Sequence, residues 1–292
     1  MGASRQRPRE SRRREIRPAS ALPPLALLLI GLIPSAAAQN GPADREQAAR
    51  DLIANAAQAL AERRAPGFLD ALDRPLANQL RKPVEALVRD YDIQSGLDFA
   101  PAAGDDRGVS LAVTWRMDLT AREGGRAVTH RERRVTCRVE SRGGALRIVA
   151  VDGALEAPGL FSSPDIGGAW DLLLTASTAL VGAFGPGQLR DPDTTAAGFM
   201  TAFDSKMAGY EALRAGVAAL AAQGRINCTL TLTSNEGTDA VRTVAVDWVL
   251  EVAGSETGIR ILERESQLTF LIERHGKRWL IVSVSPLDLF TK

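Results

Sequence analysis

The sequence predicts an α+β protein of two tandem domains, each a set of helices packed on a four-stranded antiparallel sheet. Three observations predict it. The stretch from Ile93 to Asp152 is written again from Ile226 to Ser285 at a constant offset of 133 positions. Within both copies, apolar and polar residues alternate with period two. Ahead of each copy lie segments whose apolar residues fall at helical spacing.

The repeat organises the chain. Ile93, Leu97, Gly104, Asp106, Trp115, Arg131, Glu132, Thr136, Gly143 and Ile148 recur as Ile226, Leu230, Gly237, Asp239, Trp248, Arg264, Glu265, Thr269, Gly276 and Ile281. A gapless self-match of this length marks a duplicated folding unit. At 292 residues the chain holds about two ordinary domains, and an apolar fraction of 45% suffices for two cores.

The repeated segments read as strands. Leu111, Val113, Trp115, Met117 and Leu119 alternate with polar neighbours, as do Val244, Val246, Trp248, Leu250 and Val252. Successive side chains of a strand point to opposite faces, so each row buries one face of an antiparallel sheet. Val135, Cys137 and Val139 continue the pattern, with Leu268, Phe270 and Ile272 in the copy. Gly143-Gly144 and Gly276-Lys277 then turn the chain into a last strand.

Helical spacing covers Ala43 to Arg64, Gly67 to Asp73 and Pro75 to Asp90 in the first unit. In the second it covers Trp170 to Phe184, a short segment around Phe199, and Met207 to Ala222. The short helices match at offset 131, Gly67-Phe68 against Gly198-Phe199. The Pro-, Gly- and Ser-rich stretch 158–168 reads as a linker. The expected organisation is a signal peptide at 1–38, a first domain at 39–157 and a second at 169–292.

Residues 1–38 carry seven arginines and two glutamates, a charge of +5 within a whole-chain +1, so the remainder stands at −4. That remainder has no basic footprint for nucleic acid. The arginine-rich start, the apolar run Leu22–Ile33 and Ala36-Ala37-Ala38 form a secretory signal pattern, which predicts a periplasmic or secreted protein. The run is shorter than the roughly 20 residues of a membrane span, so no stable span is expected once the signal is removed.

Chemistry is sparse. No acid or base falls mid-strand on an inward row. Arg131 and Arg264 share the inward parity at strand ends, a placement suited to a carboxylate or phosphate at a cavity mouth, or to pairing with a nearby acid. Tyr210 opens a helix and offers a hydroxyl or a packing surface. Neither histidine has a metal-ligand partner at suitable spacing, and no cofactor motif is present. Cys137 and Cys228 fall in different cores, so two free thiols are expected. The outer row of the first unit is basic (Arg116, Arg134, Arg138) and that of the second more acidic (Asp247, Glu251, Glu265, Glu273). Sheet-to-sheet docking of the copies is the corresponding expectation.

Helices followed by a curved four-stranded sheet, with Gly198-Phe199, Ala202-Phe203-Asp204, Met207-Ala208-Gly209-Tyr210 and Asp247-Trp248, resemble the nuclear-transport-factor-2-like superfamily of cone-like domains. The resemblance implies a ligand held between sheet and helices, with Tyr210, Trp248, Arg264, Trp115 and Arg131 as ligand-binding candidates. It also implies an intramolecular pseudo-dimer of the two repeats. The expected function is a non-catalytic exported scaffold for a small apolar ligand or an envelope protein. Its alternative is an enzyme of the isomerase or dehydratase kind, and a third reading is an envelope lipid carrier.

Overall fold

The structure is a computed structural model that describes residues 41–100, 103–105, 108–123, 127–156, 158–181, 191–254 and 257–291. The expected signal segment, 1–38, lies outside the described residues. No described helix is long and apolar enough to cross a membrane. The fold is α+β. In the first repeat α1 (Pro42–Ala61), α2 (Ala65–Ala71) and α3 (Arg74–Asp90) precede β1 (Tyr91–Phe99), β2 (Ala103–Asp105), β3 (Gly108–Ala121), β4 (Ala127–Arg142) and β5 (Ala145–Asp152). In the second, α4 (Gly167–Val181), α5 (Pro192–Met200) and α6 (Tyr210–Gln223) precede β6 (Arg225–Gly237), β7 (Val241–Ala253), β8 (Arg260–His275) and β9 (Arg278–Ser285). A short α7 (Asp288–Thr291) follows.

The strands keep the register the alternation demands. β3 pairs antiparallel with β1, β2 and β4, and β4 with β5; β7 pairs with β6 and β8, and β8 with β9. Leu111, Val113, Trp115, Met117 and Leu119 are buried, and so are Val244, Val246, Trp248, Leu250 and Val252. Each row faces the helices of its own repeat, and the buried residues form two separate hydrophobic clusters. A Leu or Val side chain fully removed from water contributes roughly 1.5–3 kcal/mol, so these rows are the main favourable term for each half.

The two halves nevertheless share one nine-stranded sheet. Ala127, Val128 and Thr129 at the start of β4 pair in parallel with Asn235, Glu236 and Gly237 at the end of β6. β5 covers β4 only from Thr136 onward, which leaves the earlier stretch of that edge open to another strand. Gly237 closes the turn from β6 to β7 because it lacks a side chain. Its φ is +147°, and a Cβ there would lie 2.1 Å from the Val241 carbonyl.

This joint corrects the expected face-to-face docking: the copies meet edge to edge. Several outer-face charges are answered within their own repeats. Arg116 pairs with Asp98 and Glu132, Arg138 with Glu140, and Arg260 with Glu251 and Glu263. A face whose ions are already compensated gains little from a second charged face.

Candidate functional site

Three places could carry function: the interior of each repeat, the joint between them, and the recesses outside.

The interiors come first, because a ligand between sheet and helices would sit there. In the first repeat Phe68 on α2, Trp115 on β3 and Phe161 meet as a cluster. The Phe68–Phe161 centroids lie 5.2 Å apart, and Trp115 meets Phe161 edge-on at 5.3 Å. The second repeat rebuilds the cluster from Phe199 on α5, Trp248 on β7 and Phe290 on α7. Phe199–Phe290 measures 5.5 Å, and Trp248 meets Phe290 edge-on at 5.4 Å. These six rings are at most 1% exposed. A side chain that no water can touch lines no water-sized void, so the space beside each tryptophan is filled. The filling residue belongs in each case to a Leu-Phe pair after the last strand, Leu160-Phe161 and Leu289-Phe290.

The two candidate arginines explain how those pairs are held. Arg131 Nη1 donates to the Leu160 carbonyl at 3.0 Å, and Arg264 Nη1 donates to the Leu289 carbonyl at 2.8 Å. Each arginine of the inward parity thus latches the segment that plugs its own repeat. Trp115 and Trp248 lie beneath the plugs, and Tyr210 is half-buried against the second core at the start of α6. The structure therefore distributes the five sequence-derived candidates over two interiors and does not gather them into one pocket.

One difference separates the interiors. Trp115 Nε1 donates to Ser95 Oγ at 2.8 Å. Trp248 Nε1 is buried without a completed hydrogen bond, and the sulfur facing it, Cys228, occupies the position of Ser95. Sulfur accepts weakly, so the exchange of oxygen for sulfur leaves the second indole under-satisfied. Both cysteines are free thiols, Cys137 buried and Cys228 half-buried. Burial pushes the Cys137 thiol up to about 12, aided by the charge of Asp152. Burial also raises Cys228 to about 12, against a small opposing effect of the Trp248 N–H.

The joint holds a buried polar network. Arg131 Nε and Nη2 each lie 2.8 Å from a carboxylate oxygen of Asp239, a bidentate pair across the repeats with the arginine side chain only 3% exposed. Arg242, 1% exposed, donates Nη1 to Thr129 Oγ1 at 3.0 Å and Nη2 to the Val128 carbonyl at 2.9 Å. It also grips Asn235 through the side-chain oxygen and the carbonyl. Burial lowers the pKa of Arg242, and the carboxylate of Asp239 is the largest opposing influence. Such full coordination is what a buried guanidinium requires.

The segment 158–168 lies across this joint. Arg131 also binds the Ser162 carbonyl, Asn235 Nδ2 donates to the Ile166 carbonyl at 3.2 Å, and Trp279 Nε1 donates to Asp165 at 3.3 Å. Arg242 stands on the inward parity of Val244 and Val246, a signal the sequence offered. Asn235 had no such signal, because a register shift between Leu232 and Ser234 changes which side chains turn inward, and Asp239 lies in the connection between β6 and β7, where period two does not apply.

Outside, an open recess of about 730 Å³ lies on the first repeat between α2, α3 and β5, with Leu69, Leu72 and Pro75 among its lining. Arg74, Arg81, Arg142 and Arg147 line it beside Asp70, Asp73 and Glu85. Arg142 is held by Glu140 at 2.7 Å, and Arg147 binds the Asp70 carbonyl. A second open recess, about 470 Å³, borders the joint at His130, Arg133, Glu156 and Thr238.

No family model and no curated protein matches the chain. Among solved structures the chain is similar to Rv3472 of Mycobacterium tuberculosis, a protein of unknown function. The identity is 14%, the TM-score 0.32, and the match covers 39% of this chain and 76% of that one. It is also similar to an Ntf2-like protein involved in plasmid conjugation, at 7% identity and a TM-score of 0.24 over 80% of this chain and 94% of that one.

Proposed function

We propose that the chain is an exported, non-catalytic interaction scaffold of two nuclear-transport-factor-2-like domains, residues 39–157 and 169–292, that engages a protein partner through its outside. The observation that carries this reading is the pair of aromatic plugs. A small apolar ligand needs the space between sheet and helices, and Phe161 and Phe290 occupy it. The open recesses border charged side chains, mainly arginine and carboxylate, unlike the largely apolar lining an oily small molecule takes. Export rests on the pattern of residues 1–38.

Native mass spectrometry of the protein purified from a secreting host tests both parts. The expected spectrum shows a polypeptide beginning near Gln39 with no bound small molecule. A stoichiometric adduct of ligand size overturns the scaffold reading, and an intact residue 1 in the exported fraction overturns the signal assignment.

A further inference from the structure

The joint between the repeats is built from two different surfaces, the start of β4 on one side and the end of β6 on the other. A joint of that kind uses one surface from each repeat and leaves the matching surface of the other repeat uncovered. A step of 133 positions from Ala127–Thr129 leads to Arg260, Ile261 and Leu262 at the start of β8. The opposite step from the end of β6 leads to the β1–β2 end of the first repeat. β9 covers β8 only from Thr269 to His275, and β2 pairs with β3 alone. Among the described strands, both ends therefore present an open edge.

A second observation marks the β8 end. Ile259 and Ile261 are 67% and 54% exposed, whereas Val128, the equivalent of Ile261 at the covered strand-end of the first repeat, is half-buried. Large apolar side chains side by side in water at an open edge point to a surface that is covered by something. Arg260, between them, is compensated by Glu251 and Glu263 at 2.8 Å each, so it brings no unpaired charge to the edge. The positions of Thr129 and Arg242, whose polar groups tie the internal joint, are Leu262 and Val109 at the uncovered ends. Apolar residues replace these two polar ties, while the positions of the Arg131–Asp239 pair hold Arg264 and Asp106.

We propose that the chain assembles head to tail, the β8 end of one copy adding in parallel to the β1–β2 end of the next, in repetition of the joint between its own repeats. The contact is heterologous, so association runs on into rings or open chains and does not stop at a symmetric dimer. It lacks the strap 158–168 that holds the internal joint together, and its strength depends on protein concentration. This goes beyond the scaffold reading, which stands whether or not copies associate.

Sedimentation velocity over a rising concentration series, with two blocked variants, provides the test. Ile261→Asp blocks the β8 end at an exposed position. Ala103→Pro and Gly104→Pro are paired for the other end, because successive strand residues direct their N–H groups to opposite edges and one of the two removes an outward donor. Circular dichroism checks that each variant is folded.

The expected result is a wild-type protein whose sedimentation coefficient climbs at high micromolar concentration. Ile261→Asp alone, and one of the two proline variants alone, should stay monomeric. An equal mixture of Ile261→Asp with that proline variant should form a dimer and nothing larger, since one intact pair of ends remains. A wild type that stays monomeric throughout overturns the proposal, as does an Ile261→Asp variant that still self-associates. A mixture that stays monomeric overturns the head-to-tail geometry.

Discussion

Phe290 meets Trp248 edge-on, ring centroids 5.4 Å apart and planes at 86°, and Phe161 meets Trp115 the same way at 5.3 Å and 84°. The two contacts are copies of one device, in which a Leu-Phe pair after the last strand closes the repeat it has just completed. The partners sit 42 residues apart in the second repeat and 46 in the first. The offset within the plug is 129, not 133, so the gapless strand repeat stops short of it.

Removing either half of the plug should open a cavity. Trp248→Ala and Phe290→Ala are each expected to destabilise the second repeat by about 3–5 kcal/mol, read as a lowered urea midpoint. The double variant should fall short of the sum by about 0.5–1.5 kcal/mol, the edge-on term. Strict additivity would show that the rings do not interact.

The Arg131–Asp239 pair should hold the halves together. Arg131→Ala leaves the partly buried Asp239 carboxylate, 12% exposed, without its guanidinium, and a loss of about 2–4 kcal/mol is expected. Arg131→Met with Asp239→Leu removes both charges and should recover most of that loss. A double variant no more stable than the single one would mean that the arginine acts through the Leu160 and Ser162 carbonyls.

Cys228→Ser should stabilise the protein. A hydroxyl at this position gives the Trp248 N–H the acceptor that Ser95 gives Trp115, a gain of about 0.5–1.5 kcal/mol. The reciprocal Ser95→Cys should lower stability by a similar amount. Thermal melts of the two variants moving in the same direction would refute the comparison.

The thiols predict an alkaline limb. Each has its folded pKa raised from 9.0 to about 12 by burial. The unfolded chain ionises first, so the contribution to stability is whole below about 9 and declines as pH rises toward 12. Denaturant midpoints measured across that window should fall with pH, and Cys137→Ala should flatten part of the slope. In the native state a thiol reagent should modify half-buried Cys228 before buried Cys137.

Much of the secondary structure could be read because it depends on neighbours in sequence. The rows through Trp115 and Trp248 have a period of two, and both tryptophans turn inward as expected. The helices begin and end within a few residues of their apolar patterns, as with α3 against Pro75–Asp90. The candidate site was harder. Arg131 and Arg264 stood out by parity, but nothing local to Arg131 says that its carboxylate partner lies 108 residues away at Asp239.

The sequence by itself determined that a unit was duplicated, which face of each strand is apolar, and that the two cysteines lie in different halves. These follow from periodicity, a property of adjacent residues. Only the tertiary structure decided that the halves join by strand edges, that Arg242 is buried as a coordinated cation, and that Phe161 and Phe290 occupy the space a ligand would need. Those outcomes depend on which distant groups reach one another once the backbone has closed, and chain order does not record that.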